Sequence, residues 1–277
     1  MIRLTADSSC DVYTLKDVDF RAVPLTVSTD DGEAFVDDSR LDVGEMVQKL
    51  HGHKGRSYTA CPSVAAWLEA FDGADRVIAV TITSGLSGSY NSARAAADLY
   101  QQAKPAASVY VLDSLSTGPE VLLLLEKLRE LVSQGLDFEE VVARAEDYKA
   151  KTRLYFSLHS LHNLAQNGRV SKVAAAAVGV MNIRVIGTAS PEGTLTTIGK
   201  ARGDKRAAAA LLDQMAEDGW KGGKVRITHV QNPELARSLA EHLHTAYPEA
   251  DIACAPAGGL CSYYAEKGSL MIGVEIG

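Results

Sequence analysis

Short apolar runs rich in β-branched residues alternate along this chain with amphipathic or alanine- and leucine-rich segments, and that alternation limits the possible folds more than any single motif does. Runs at residues 2–6, 22–28, 77–82, 109–113, 154–157, 184–189, 225–230, 252–255 and 270–276 have the composition of strands. Segments 64–71, 118–134, 138–149, 204–218 and 233–247 carry helical patterns. Strand alternating with helix predicts an α/β protein with largely parallel sheets and helices on their faces. The pattern breaks once. A helical stretch at 158–166 meets Asn167-Gly168 and then a second, small-residue helical stretch, with no strand between them. A junction near Phe156 therefore predicts two α/β domains, 1–156 and a smaller 157–277. Without a low-complexity linker the two are expected to pack closely around a ligand cleft.

Charge and composition exclude several classes of function. A net charge of −7 over 277 residues argues against a nucleic-acid surface, which needs clustered Lys and Arg. The first residues lack an apolar signal core, and apolar runs such as 121–125 are far too short to span a bilayer, so a cytoplasmic location is expected. Cys10, Cys61, Cys254 and Cys261 show neither a C-x-x-C pair nor zinc-ligand spacing and are expected to be reduced thiols. His51/His53, His159/His162 and His242/His244 lack a second ligand pair at metal-site spacing. Neither a metal nor a cofactor is expected.

The segment Ser84-Gly85-Leu86-Ser87-Gly88-Ser89-Tyr90 lies between an apolar run and an alanine-rich helical stretch, a strand-to-helix turn. Backbone N–H groups at such a turn lack intrahelical partners and point outward with the positive end of the helix dipole. The turn is thus a seat for an anion. The plainer alternative is that Ser87 or Ser89 caps the helix. A nucleophile elbow would need G-x-S-x-G, which this segment misses by one residue, and the lysine of a phosphate-binding loop is absent.

Three further hydroxyl-bearing loops accompany it: Asp7-Ser8-Ser9-Cys10-Asp11, Thr59-Ala60-Cys61-Pro62-Ser63 and Asp113-Ser114-Leu115-Ser116-Thr117-Gly118. In an open α/β sheet, loops at the carboxyl ends of strands converge on one rim. Such a rim supplies hydroxyl and amide donors but almost no general base, so it suits holding a carboxylate better than acid–base chemistry. Asp7 and Asp113 are expected to cap loops.

These loops, together with the stretch from Leu161 to Asn167-Gly168-Arg169-Val170 and Ala201-Arg202-Gly203-Asp204-Lys205, occur in the order seen in the DegV family. The chain resembles DegV fatty-acid-binding proteins over its full length. That resemblance implies two α/β domains enclosing a long-chain fatty acid, its carboxylate at the polar mouth and its acyl chain in an apolar tunnel. It implies no catalysis and no cofactor, and a separate ATP-dependent fatty acid kinase as partner, which would convert the acid to an acyl phosphate. By position it assigns carboxylate contacts to Thr59 and Ser87, completed by amides at Gly85 and Gly88, with Ser84, Ser8 and Tyr264 as further candidates. Arg169 and Arg202 match family arginines and are candidates for partner docking. Tyr264 stands where the family carries histidine, and Glu266-Lys267-Gly268 stands where it carries Gly-Pro-Gly. Two other readings remain: a serine-dependent acyl hydrolase or transferase using Ser87 with a histidine base, and a phosphate or phosphosugar enzyme using the same seat.

Overall fold

The computed structural model describes residues 2–171 and 182–276. The small-residue helical stretch expected after Gly168 lies mostly outside them. The chain opens with β1 (Ile2–Asp7), a 3₁₀ turn at Ser8–Cys10, β2 (Asp19–Val23) and β3 (Thr26–Thr29). The single run expected at 22–28 is thus two strands. Pro24 lacks the N–H a ladder needs, and the next amide, Leu25 N–H, donates to Ser8 Oγ at 3.0 Å, so the chain leaves one sheet and enters another. There follow β4 (Ala34–Val36), α1 (Val43–Gly52), β5 (Ser57–Ala60), α2 (Val64–Phe71), β6 (Arg76–Thr81), α3 (Ser89–Ala103) and β7 (Ser108–Asp113). Four of these strands form a parallel sheet in the order β2-β1-β6-β7, and β3 pairs antiparallel with both β4 and β5 in a small second sheet. β1 is buried along its whole length, as a central strand of a parallel sheet covered on both faces must be.

The chain continues through α4 (Pro119–Ser133), α5 (Phe138–Lys149), β8 (Thr152–Leu158), α6 (His162–Gln166), β9 (Ile183–Ala189) and β10 (Leu195–Arg202). It ends with α7 (Asp204–Glu217), β11 (Val225–His229), α8 (Pro233–Ala246), β12 (Ile252–Pro256), α9 (Gly259–Ala265) and β13 (Leu270–Glu275). Six strands form the third sheet, ordered β10-β9-β8-β13-β11-β12. The α/β class stands, but parallel pairing here is confined to β11 and β12; every other neighbour pair is antiparallel. The third sheet starts at Thr152, so the junction expected near Phe156 falls inside β8.

Alternation along β8 and β13 sends side chains to two different layers. Tyr155, Leu270, Ile272 and Val274 pack with α7 and α8, whereas Leu154, Phe156, Leu158 and Met271 face the opposite side. Phe156 lies opposite Gly187, where a Cβ would stand 2.2 Å from its ring, so the missing side chain makes room for that ring. The helix α4 joins the sheets. Its apolar residues, from Val121 to Leu131, are buried with β1 and α5, while Glu126 pairs with Arg226 of β11 at 2.8 Å and Glu130 with Lys224. At its start, a Cβ on Gly273 of β13 would meet the Glu120 amide and the Pro119 carbonyl at 2.6 Å.

Candidate functional site

The turn between β6 and α3 is held from below by a buried carboxylate. Asp7 Oδ1 accepts from Ser9 Oγ at 2.6 Å, and Oδ2 accepts from the Ile82 amide at 2.9 Å and Ser89 Oγ at 2.5 Å. Burial pushes its carboxyl above the ordinary range, and these hydrogen bonds oppose that shift. Asp7 therefore fixes two loops against each other, as capping predicts. Gly88 is the N-cap of α3 and has no side chain to cap with, but Ser87 Oγ accepts the Ser89 amide at 3.2 Å. A hydroxyl that accepts one bond keeps its own hydrogen to donate. Ser87 thus closes the turn while its own hydrogen remains available.

A pair of hydroxyls lines the same cavity as Ser87. Thr59 lies on β5, paired with Val27 of β3, and its Oγ1 stands 2.8 Å from the Tyr264 hydroxyl of α9. Burial raises the Tyr264 phenol, so it stays protonated and can donate; the Thr59 bond and the Arg169 charge act in the opposite sense. Arg169, just beyond α6, donates from Nε to the Leu86 carbonyl at 3.0 Å and from Nη1 to the Asn167 carbonyl at 2.6 Å. Among the described residues no carboxylate pairs with it. Carbonyl oxygens orient the guanidinium without neutralising it.

Thr59, Ser87, Arg169 and Tyr264 line one cavity. Leu25, Ile82, Leu86 and Leu260 enclose it beside the hydroxyls, and Leu154, Phe156, Leu158, Leu164, Leu195 and Met271 continue its wall. Thr117 and Cys261 are the other polar side chains on this wall. Three of the hydroxyl-bearing loops of the first half, through Thr59, Ser87 and Thr117, and the α6 and α9 regions of the second contribute, so the cavity lies between the parallel sheet and the six-stranded one.

The remaining expected residues lie elsewhere. The Gly85 amide donates to Thr83 Oγ1 at 3.1 Å and the exposed Ser84 amide to Asp113 Oδ1 at 3.1 Å, so neither is free for an anion. Gly85, Gly88 and Ser84 do not line the cavity. Ser8 is fully buried with its Oγ accepting from Leu25, a structural position rather than a contact for a ligand. Arg202 is exposed at the end of β10 and away from the wall, whereas Arg169, expected only to dock a partner, is part of it. Among the described residues no histidine hydrogen-bonds Ser87, whose Oγ accepts the Ser89 amide. The four cysteines are free thiols, and no described helix is long and apolar enough to cross a membrane. The cavity wall therefore combines hydroxyl, thiol and guanidinium groups with a larger number of apolar side chains.

Comparisons with known proteins agree with one another. The family model described as "uncharacterised protein, DegV family" matches residues 1–276. A DegV domain-containing protein of Streptococcus gordonii is 42% identical over 279 residues, covering 99% of both chains. A DegV family protein of Eubacterium eligens, its crystal structure loaded with heptadecanoic acid, superimposes with a TM-score of 0.97 at 51% identity and covers 100% of both chains. The Streptococcus pneumoniae Fatty Acid Kinase (Fak) B3 protein, loaded with linoleic acid, also has a TM-score of 0.97, at 42% identity, covering 100% of this chain and 99% of its own.

Proposed function

The chain belongs to the DegV family, and on that premise we propose that it is a non-catalytic carrier of one long-chain fatty acid. The carboxylate binds among Thr59, Ser87, Tyr264 and Arg169, and the acyl chain occupies the apolar part of the cavity. The observation that carries this reading is one cavity that brings together the hydroxyls of Thr59, Ser87 and Tyr264 and the Arg169 guanidinium with a wall made mostly of Leu, Ile, Phe and Met. Solved relatives loaded with heptadecanoic and linoleic acid support it.

The energetics match the geometry. Each methylene removed from water contributes about 0.8 kcal/mol, so a long tail supplies ample affinity even after association costs. A carboxylate drawn into such a site without donors would be heavily penalised, and the hydroxyls and Arg169 meet that requirement. The bound acid is presented to a separate ATP-dependent fatty acid kinase, which forms the acyl phosphate; the exposed Arg202 is a docking contact. Likeness to the pneumococcal Fak B3 protein supports this step.

Denaturing the purified protein and analysing an organic extract by mass spectrometry tests the carrier. One fatty acid per chain, or uptake of added palmitic acid, is the expected result. A lipid-free protein that takes up no added acid overturns the reading.

A further inference from the structure

Two polar groups on the cavity wall remain once the carboxylate contacts are assigned. Thr117 Oγ1 stands 3.7 Å from Cys261 Sγ and makes no other hydrogen bond among the described residues, while the thiol donates to the Ser9 carbonyl at 3.5 Å. Sulfur is a weak acceptor, so the Thr117 hydroxyl is nearly unsatisfied where it lines the cavity. Behind it lies a further polar atom. Asp11 Oδ1 accepts the Gly258 amide at 2.8 Å, but Oδ2 is buried without a partner. A Cβ on Gly118 would stand 3.5 Å from both that oxygen and Cys261 Sγ, so the three groups share one corner of the wall.

The corner has a defined place along the cavity. Cys261 precedes Tyr264 by three positions on α9, a rise of about 4.5 Å that leaves both on one face of the helix. It therefore stands near the carboxyl end of a bound acid and apart from the hydroxyls that meet the carboxylate. A wall that met only methylene groups would be served by valine at 117, which has the shape of threonine without its polar atom.

We propose that Thr117 and Cys261 form a second polar subsite that accepts a hydroxyl on the carboxyl-proximal part of the acyl chain, so that the ligands include β-hydroxy fatty acids. This rests on the fatty-acid reading above. The ligand hydroxyl exchanges a hydrogen bond with Thr117 Oγ1, replacing water bonds it loses on entering the cavity. Along the purely apolar remainder of the wall no such replacement exists, and burial of a hydroxyl there is penalised.

Displacement of a fluorescent fatty acid by palmitic, β-hydroxypalmitic and ω-hydroxypalmitic acids tests the subsite on the full chain. The expected order has the β-hydroxy acid binding at least as tightly as palmitic acid and the ω-hydroxy acid about tenfold more weakly. Thr117→Val should weaken the β-hydroxy acid about tenfold with palmitic acid unchanged, the size of one lost hydrogen bond. Palmitic acid reports folding of the variant, and Thr117→Ala, which also removes the hydroxyl, gives a second test with the same expected ratio should Thr117→Val not fold. A β-hydroxy acid that binds the parent tenfold worse than palmitic acid, or a ratio unmoved by the substitutions, overturns the subsite but leaves the carrier intact. Failure of palmitic acid itself on the parent overturns both.

Discussion

The hydroxyls of Thr59 and Tyr264 stand 2.8 Å apart, tying β5 to α9 beside the cavity. One of their two hydrogens makes that bond and the other is left for a ligand. Tyr264→Phe removes a donor but keeps the ring against Tyr263, whose centroid is 4.8 Å away. Fatty-acid affinity should fall by about 1–3 kcal/mol, the worth of a donor to a charged group. Combining it with Thr59→Val should cost less than the sum of the two, because both act through one pair. Strict additivity in isothermal titration would show that the hydroxyls meet the ligand independently.

Ser87→Ala removes another donor of the proposed carboxylate site and should cost a similar amount, about 1–3 kcal/mol, with the fold retained. The thermal midpoint should change little, because the lost Ser89 contact is one bond at a turn. Fluorescent fatty-acid binding provides the measurement, and unchanged affinity would move the head group elsewhere.

Arg169 separates two roles. Arg169→Met removes a charge on the cavity wall and should weaken fatty-acid binding at least tenfold. Arg202→Ala, exposed and off the wall, should leave binding unchanged and lower acyl-phosphate formation with the kinase. Equal affinity for the Arg169→Met protein and the parent would restrict Arg169 to docking.

Asp11 should leave a signature in the pH dependence of stability. Burial raises its carboxyl from 3.8 to about 7. Between about pH 4 and 7 the folded chain holds a proton that the unfolded chain has released, so the unfolded state binds fewer protons and stability falls as pH rises through that window. Burial moves Asp7 and Glu120 in the same direction, so the parent slope is shared among the three. Asp11→Asn can still accept from Gly258 but does not titrate. Urea unfolding at about pH 5 and pH 8 should show a smaller loss for the variant than for the parent, and identical losses would remove Asp11 from the account.

Gly273→Ala probes the contact between α4 and β13. The added Cβ would meet backbone atoms of Pro119 and Glu120 at 2.6 Å, which cannot swing aside as a flexible side chain can. Overpacking of this kind costs about 1–3 kcal/mol, a fall in Tm of several degrees. A midpoint within a degree of the parent would mean that the two elements separate easily.

Much of the site was legible because its chemistry is local. The serine-rich turn after β6 and the threonine ahead of α2 announce themselves by composition, and both stand on the cavity wall. The amides of that turn could not be assessed in the same way, since Thr83 and Asp113 claim them through side chains whose rotamers depend on the fold. Arg169 reads in sequence only as a candidate for partner docking until the chain brings it to the Leu86 carbonyl, 83 positions away. Strand direction in the six-stranded sheet was hidden for a related reason. Buried runs such as β8 and β13 have one composition whether paired parallel or antiparallel, and only the connections decide. Pro24 interrupts the run read as one strand over 22–28, and its consequence is a change of sheet.

The position of α4 bears on how a ligand can enter. Its leucines belong to the layer beneath the parallel sheet while Glu126 and Glu130 are clamped by Arg226 of β11 and by Lys224 just ahead of that strand, so the helix is a shared beam and not a hinge. Swinging the two halves apart would expose that beam and strip paired charges at once. Loading and unloading must then proceed through loop movements that leave the frame standing, and heat or urea should melt the protein in one cooperative step.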